Sequence, residues 1–392
     1  MEIRTFLLTC IMISGALQNA AAQTEPTITK WKFNLTNAKG YSTNSEVNSY
    51  INAVTADVLE VWHTGTDVYI KANSMPSHSI GPWTGRAEYP TAANNTWMIK
   101  RTAPSAAAVS HPTLPLGPIG VFVNGVQLFS WSDATSYENE GYWNNVAPVA
   151  RPDIDSAGGH PSPGMPGGFQ PEVGVSAATD GHTHSWTDDP YHSHGASTAA
   201  TKVLTAGGSY HYHTQSPALR QQLNDTGVAH SPILGFAFDG SPIYGPYGYA
   251  NSNGTGGVRR IVSSYQSRTD MVSRTTLPDG TVLAAQFYGP AIAGQYPLGR
   301  FAEDYKFING SGDLDVYNGR FTVTPEYPAG VYAYFTTIDA SGNSAFPYTV
   351  GPASYYGTVI AGNTGPTGGH VTIPGGAVHY TPAASVQDWK RY

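Results

Sequence analysis

The 392-residue chain has one cysteine, Cys10, which lies in a short apolar segment near the N-terminus. The remainder of the sequence therefore offers no thiol. This excludes disulfides, thiolate metal ligands, a cysteine nucleophile and a blue-copper centre, because each of them needs cysteine. The stability of the fold must come from a hydrophobic core or from bound metal.

Charged residues and long apolar runs are also scarce. Charged side chains make up 12% of the chain, and the net charge is −7. That share is about half of the usual quarter. Because no basic stripe occurs, we expect no nucleic-acid partner. Beyond the N-terminal segment there is no run of roughly eighteen apolar residues, so we expect no membrane span.

Residues 1–22 have the features of a secretory signal peptide. Arg4 precedes an apolar segment from Phe6 to Leu17, and small residues at Ala20–Ala22 provide a cleavage site before Gln23. We therefore expect a secreted protein, extracellular or, in a bacterium, periplasmic. Five N-x-Ser/Thr sequons would be glycan acceptors in a eukaryotic host. They begin at Asn34, Asn94, Asn224, Asn253 and Asn309.

The residues that are abundant favour β structure. The 44 glycines and 29 prolines separate short apolar runs, and 25 tyrosines and 8 tryptophans supply large surfaces for a core. Asn124-Gly125 between two β-rich runs is a strong hairpin signal, and alternation predicts a strand over Trp31–Leu35. Ser216-Pro217 is the only good helix start. The sequence predicts an all-β, sandwich-like domain with long Gly/Pro/His-rich loops and very little helix.

Composition divides the chain into four parts. The signal peptide (1–22) is followed by a β-rich N-terminal segment (23–115) and a main domain (116–360), and these two can form one unit. A Gly/Pro-rich tail (361–392) ends the chain, and we expect it to be peripheral.

The histidines are distributed unevenly. Of 13 in the chain, eight fall between His160 and His230, and three pairs have the spacing His-x-His. Side chains at i and i+2 of a strand share one face, so two such imidazoles can converge on one metal ion. Neutral imidazole is a common metal ligand and suits Cu, Zn or Fe, of which Cu and Zn are our first choices.

The pair His211 and His213 lies in Tyr210-His211-Tyr212-His213, where the tyrosines take the other face of the strand. It is the best candidate for the centre of a metal site, and a structural pair in a polar core network is the alternative. The pairs His182/His184 and His192/His194 have Asp, Gly and Ser neighbours. We take them as secondary metal candidates, with a solvated loop as the alternative.

The YHYH tetrapeptide is accompanied by further motifs in order. These are His230-Ser-Pro-Ile-Leu-Gly, Asp239-Gly-Ser-Pro-Ile-Tyr-Gly245, Glu303-Asp304-Tyr305, Gly310-Ser-Gly-Asp313-Leu-Asp315, Asn318-Gly-Arg320-Phe, Thr324-Pro-Glu326-Tyr and Phe346-Pro-Tyr. Over residues 117–357 the chain closely resembles the YHYH protein family, a group of secreted proteins. The resemblance implies a secreted β-rich domain with a histidine-centred site, and it implies no particular activity.

The matching segments supply further candidate ligands. His160 follows a Gly-Gly turn and His230 precedes Ser-Pro, so either can join His211 and His213. Asp239 can ligate the metal, orient a histidine or simply bond its own turn. Asp313 and Asp315 lie in a glycine-rich turn whose oxygens suit Ca²⁺, although the spacing is not that of an EF-hand and a hydrogen-bonded turn is the simpler interpretation.

No recognisable catalytic motif is present. The sequence lacks G-x-S-x-G, H-E-x-x-H and the P-loop, so no catalytic residue can be predicted. Our first hypothesis is a secreted metal-binding protein or metalloenzyme acting on an unknown small molecule or extracellular polymer. The alternative is a structural protein of an extracellular matrix, a glycan-binding module or a biomineral-associated protein.

Overall fold

The computed structural model describes residues 25–44, 49–50, 54–83, 88–105, 107–162, 205–206, 208–364 and 368–382. The predicted signal peptide and the four histidines from His182 to His194 lie outside these ranges. Within them, no helix has the length and hydrophobicity that crossing a bilayer requires.

Short strands are the main regular secondary structure of the described residues and helices are few, so the predicted all-β class is confirmed. The strands are β1 (Lys39–Asn44), β2 (Ser49–Tyr50), β3 (Val54–Thr55), β4 (Val58–His63), β5 (Asp67–Ala72), β6 (Ser79–Ile80), β7 (Glu88–Tyr89), β8 (Asn95–Lys100), β9 (Pro118–Phe122), β10 (Gln127–Phe129), β11 (Ser132–Ser136), β12 (Asn144–Val146), β13 (Gly159–Pro161), β14 (Thr205–Ala206), β15 (Tyr210–Tyr212), β16 (Ile233–Ala237), β17 (Pro242–Tyr244), β18 (Tyr247–Tyr249), β19 (Val258–Arg260), β20 (Tyr265–Ser267), β21 (Tyr305–Phe307), β22 (Gly319–Thr322), β23 (Val331–Phe335) and β24 (Val378–Tyr380). The α-helices are α1 (Pro26–Thr29), α2 (Ala147–Ala150) and α3 (Pro217–Gln222), and 3-10 turns span Tyr137–Asn139, Ala285–Phe287 and Ala302–Asp304.

Two sheets organise these strands. The larger has eight strands in the order β13-β15-β10-β9-β16-β17-β23-β22, and the second has four in the order β24-β4-β5-β8. In the larger sheet the pairs β10–β15 and β17–β23 are parallel, and the other neighbours are antiparallel. A smaller sheet joins β2, β1, β3 and β6, while β7–β14, β11–β12, β18–β19 and β20–β21 form two-stranded pairs.

One hydrophobic core serves both large sheets. Buried side chains of the four-stranded sheet, such as Val61 and Ile70, belong to the same cluster as Val121 and Leu128 of the eight-stranded sheet. The N-terminal segment and the main domain therefore share a core, and this large buried apolar surface stabilises a fold that lacks disulfides.

Two local predictions are confirmed at the residues that carried them. Asn124-Gly125 connects the antiparallel strands β9 and β10, and Gly125 has a positive φ of 75°, which a residue without Cβ adopts readily. Helix α3 begins after Ser216, whose side chain accepts a hydrogen bond from the Leu219 amide at 3.3 Å.

Two other expectations were wrong. Trp31–Leu35 is not a strand. The backbone of Lys32 bonds two different segments, because its amide donates to the Val123 carbonyl and its carbonyl accepts from the Val58 amide. The tail is not peripheral throughout. Its strand β24 pairs with β4, and His370 forms a bridge with Thr96, so residues 368–382 complete the four-stranded sheet.

Candidate metal centre

Three of the predicted histidines meet on one face of the eight-stranded sheet. Strand β13 pairs antiparallel with β15 so that His160 lies directly opposite His211. His213 is two residues further along and lies on the same face as His211. All three side chains are buried, and one nitrogen of each lies within 4.8 Å of the others. The geometry thus joins His160 to the predicted His-x-His pair.

Two glycines allow β13 to approach β15 this closely. Gly158 has a φ of 87°, and a Cβ at that position would lie 2.8 Å from Gln215 O. At Gly159 a Cβ would collide with the His211 carbonyl oxygen and lie 2.7 Å from the Tyr210 ring. The Gly-Gly turn before His160 is therefore required by the close pairing of the two strands.

The opposite face of β15 anchors it in the core. The Tyr210 hydroxyl donates to the two carboxylate oxygens of Asp155 at 2.9 and 3.0 Å, and Asp155 also accepts the Gly159 amide at 3.1 Å. The Tyr212 hydroxyl lies 2.6 Å from His78 Nε2 and accepts a hydrogen bond from Asn124 Nδ2 at 3.1 Å. The two tyrosines therefore hold the strand in position from behind the histidines.

The Nδ1 atoms of His211 and His213 face backbone oxygens. His213 Nδ1 lies 2.6 Å from the Ser130 carbonyl, and His211 Nδ1 lies 3.3 Å from the Ser209 carbonyl. Because a carbonyl only accepts, the Nδ1 of His213 carries the proton and its Nε2 carries a lone pair. The Nδ1 of His211 also lies 3.4 Å from the Ser162 hydroxyl, which can donate as well as accept. Phe129 packs its ring 3.9 Å from that of His211 and 5.9 Å from that of His213. The Nε2 lone pair of His213 is thereby directed toward His160.

His160 is oriented by a carboxylate. Its Nδ1 lies 3.4 Å from Asp153 Oδ2, and Arg151 bonds the same carboxylate at 2.9 and 3.1 Å. Burial opposes the ionisation of Asp153, but hydrogen bonds and charge contacts with His160 and Arg151 outweigh it and hold the pKa of this carboxyl well below its usual value. An ionised carboxylate behind a ligating imidazole is the common arrangement in metal sites.

Burial keeps His211 and His213 neutral. Loss of solvent, followed by the effect of neighbouring His160, lowers the pKa of His211 well below its usual value and that of His213 to about 3. Metal binding requires the neutral imidazole, so neither residue has to lose a proton to ligate at ordinary pH.

The spacing of the cluster fits one bound cation. The Nε2 atoms of His160 and His213 lie 3.2 Å apart. Two imidazole nitrogens at about 2.0–2.1 Å from one tetrahedral zinc are about 3.3–3.4 Å apart. A hydrogen bond from a protonated His160 to a neutral His213 would give a similar distance, so a purely structural histidine network is the competing interpretation.

Two predicted ligands lie elsewhere. His230 precedes β16, which is separated from β15 by β10 and β9, or about 14 Å of sheet at about 4.8 Å per strand. Its ring packs against Tyr244 and Tyr249. Asp239 accepts hydrogen bonds from the Tyr334 hydroxyl at 2.7 Å and the Gly357 amide at 2.9 Å. Asp239 thus bonds Tyr334 of β23, and it accepts the Ser241 amide of its own turn. Neither His230 nor Asp239 joins the three histidines.

The proposed calcium turn is held by protein donors. Asp313 forms a bidentate ion pair with Arg259 at 2.6 and 2.7 Å, and Asp315 accepts the Tyr332 hydroxyl at 3.0 Å. These contacts favour the hydrogen-bonded turn over a Ca²⁺ site. The secondary candidates His182, His184, His192 and His194 stay predictions, since they lie outside the described residues.

Sequence reasoning missed the partners behind the histidines. Asp153, Arg151 and Phe129 were not singled out, although they orient or enclose the cluster. The sequence contained a usable signal for Asp153, because this carboxylate lies a few residues before the Gly-Gly-His turn. Nothing local marks Phe129, which reaches the cluster through the parallel pairing of β10 with β15.

Comparison with known proteins agrees with the sequence motifs. No curated protein and no solved structure matches the chain. A family profile described as YHYH protein matches residues 96–346. That match covers more than half of the 392 residues, includes all three histidines of the cluster, and shows that the chain belongs to the YHYH protein family.

Proposed function

We propose that this protein is a secreted metal-binding protein that holds one Cu²⁺ or Zn²⁺ ion through His160, His211 and His213. The observation that carries the proposal is the convergence of three buried imidazoles, with nitrogens within 4.8 Å of one another. His160 lies in β13, His211 lies opposite it in β15, and His213 directly follows β15. A sheet interior rarely buries three adjacent imidazoles unless their nitrogens have a partner.

The donor set narrows the choice of metal. Three neutral imidazoles without a thiolate suit Cu²⁺ and Zn²⁺ better than Ca²⁺ or Mg²⁺, which prefer oxygen ligands. Three histidines leave a fourth position open for water or another ligand, as in catalytic zinc sites. That open position supports an activity beyond storage, and a metalloenzyme is the form of the proposal that would use it.

Elemental analysis of the wild-type protein and of two double variants distinguishes metal binding from a structural histidine network. The protein, purified without a histidine tag, is loaded with Cu²⁺ or Zn²⁺, freed of excess ion and measured by elemental analysis. We expect about one tightly held ion per chain. The double variant His211→Ala/His213→Ala should lose it, while His370→Ala/His379→Ala, which removes two exposed imidazoles, should retain it.

The outcomes are distinct. Absence of metal from the wild-type protein after loading with Cu²⁺, Zn²⁺ and Fe²⁺ would leave the histidines as a structural network. Equal metal content in both double variants would place the ion elsewhere in the chain. If the His211→Ala/His213→Ala variant fails to fold, protection of the wild-type imidazoles from carbethoxylation by bound metal reports on the same site.

Export is the second part of the proposal. Residues 1–22 support it through a basic start, an apolar centre and a small-residue cleavage site. N-terminal sequencing of the protein recovered outside the cell should begin at Gln23. Recovery of an intact N-terminus from the cytoplasm would contradict export and would leave the metal proposal untouched.

A further inference from the structure

A second polar cluster lies on the other half of the eight-stranded sheet, away from the three histidines. We call it the His230 cluster. Its members come from four strands and one loop that meet at one place: His230, Tyr244, Tyr249, Arg320 and Phe335. The four strands are β17, β18, β22 and β23, and His230 lies in the loop before β16. The cluster does not depend on metal binding at His160, His211 and His213.

His230 has a free acceptor atom in this cluster. Its ring centroid lies 4.9 Å from Tyr244, 5.0 Å from Tyr249 and 6.0 Å from Phe335, and the residue is 9% exposed. Its Nδ1 lies 2.8 Å from the Ser231 carbonyl, so Nδ1 carries the proton and Nε2 a lone pair. That Nε2 is buried and has no hydrogen-bond partner among the described residues.

Arg320 has a free donor and an unneutralised charge beside it. Its Nη2 donates to the Tyr249 carbonyl at 2.6 Å, and its Cζ lies 5.4 Å from the centre of the Phe335 ring. Its Nε is buried and has no partner, and its guanidinium forms no ion pair with any described residue. Asp313, whose charge acts on Arg320, is already held bidentately by Arg259.

The other nearby carboxylate is also occupied. Glu326 accepts the Tyr244 hydroxyl at 3.1 Å and pairs with Lys30 at 2.8 Å. Since buried polar atoms and charges almost always have partners, a lone acceptor at His230 and a lone cationic donor at Arg320 mark a place for a ligand. The ligand must donate one hydrogen bond and present a negatively charged acceptor.

Aromatic rings restrict the ligand further. The Tyr249 and Phe335 rings flank His230, and the Phe335 ring also lies beside the Arg320 guanidinium. Tyr249 and Arg320 are partly exposed, so one side of the cluster borders solvent. A sugar ring packs its C–H face on such side chains while its hydroxyls make hydrogen bonds at the edge. We propose that the His230 cluster binds an acidic sugar, whose carboxylate pairs with Arg320 and whose hydroxyl donates to His230 Nε2.

The proposal is tested first on the wild-type protein. Galacturonate is titrated against it by calorimetry at constant ionic strength, with galactose as the neutral analogue and acetate as the carboxylate without a ring. We expect galacturonate to bind at least tenfold more tightly than either. Imidazole NMR should show the nitrogen resonance of His230 Nε2 shift on addition of galacturonate, whereas the resonances of His211 and His213 should not move.

Matched variants identify the residues. Arg320→Gln should weaken galacturonate binding at least tenfold. Lys100→Gln, which removes a cation from an exposed ion pair with Asp67 in the four-stranded sheet, should leave it unchanged. Arg320→Lys keeps the charge and should show partial affinity if a variant without the charge fails to fold. Failure of galacturonate to bind, or equal binding of galactose, would overturn the proposal and leave ordered water as the partner of both atoms.

Discussion

The Nε2 atoms of His160 and His213 lie 3.2 Å apart although 53 residues separate the two histidines in the chain. The contact exists because β13 pairs with β15 and because Gly158 and Gly159 let the strands approach. It is therefore the pairing of two strands, rather than a local motif, that creates a three-imidazole set.

Asp153→Asn should weaken metal binding without removing a ligand. The carboxylate faces His160 Nδ1 at 3.4 Å and fixes the ring so that Nε2 points into the cluster. Loss of such a carboxylate behind a ligand commonly lowers metal affinity by about 10–100-fold. Competition of the loaded protein with a chelator of known affinity measures the change.

The matched control for Asp153→Asn is Asp313→Asn. Both substitutions remove a carboxylate that pairs with an arginine, but Asp313 pairs with Arg259 far from the cluster. Asp313→Asn should leave the metal affinity unchanged. An equal loss in both variants would mean that general destabilisation, rather than the orientation of His160, sets the affinity.

His230→Gln should retain the metal. The sequence alone suggested His230 as a ligand, whereas the structure places it beyond β10 and β9 from the three histidines. The metal content of His230→Gln and of His160→Gln after loading shows which of the two histidines is a ligand. Retention in His230→Gln with loss in His160→Gln is expected, and the reverse pattern would show that the pairing of β13 with β15 is incorrect.

Gly159→Ala should destabilise the fold and weaken metal binding together. The added methyl group would meet the His211 carbonyl and the Tyr210 ring, so β13 must move away from β15 and carry His160 with it. Overpacking of this kind costs about 1–3 kcal/mol. Urea unfolding measures the stability and chelator competition the affinity, with Gly65→Ala as the control because no heavy atom lies within 4 Å of that position. Unchanged stability in Gly159→Ala would contradict the close approach.

Local chemistry made part of this structure predictable. The Asn124-Gly125 turn and the Ser216 cap follow from backbone and side-chain preferences that act over a few residues. The common face of His211 and His213 follows from the period of a strand. Each of these inferences needs only neighbours in the sequence, and each agrees with the structure.

The other features of the site depend on long-range strand pairing and could not be predicted from the sequence. That His160, and not His230, joins His211 depends on the order of eight strands in one sheet. Strand order is fixed by the packing of the whole core, and a single sequence does not reveal it. The same reason explains Trp31–Leu35, whose alternation predicts a strand although Lys32 divides its backbone bonds between two partners. It also explains why Phe129 and Asp153 went unnoticed.

His78→Gln should reduce the dependence of stability on pH. His78 is buried against Tyr212, and burial lowers its pKa to about 4. The unfolded chain binds a proton there below about pH 6.5 while the folded chain does not, so this contribution is complete above pH 6.5 and is lost as the pH falls toward 4. Its slope reaches about 1.4 kcal/mol per pH unit. Urea unfolding of metal-free protein between pH 4 and 7 should give a slope smaller by that amount in His78→Gln.

The matched control for loss of one imidazole is His370→Gln, because His370 is exposed. Its stability should depend on pH as steeply as that of the wild-type protein. An equal slope in wild type and His78→Gln would show that His78 is not held neutral in the core.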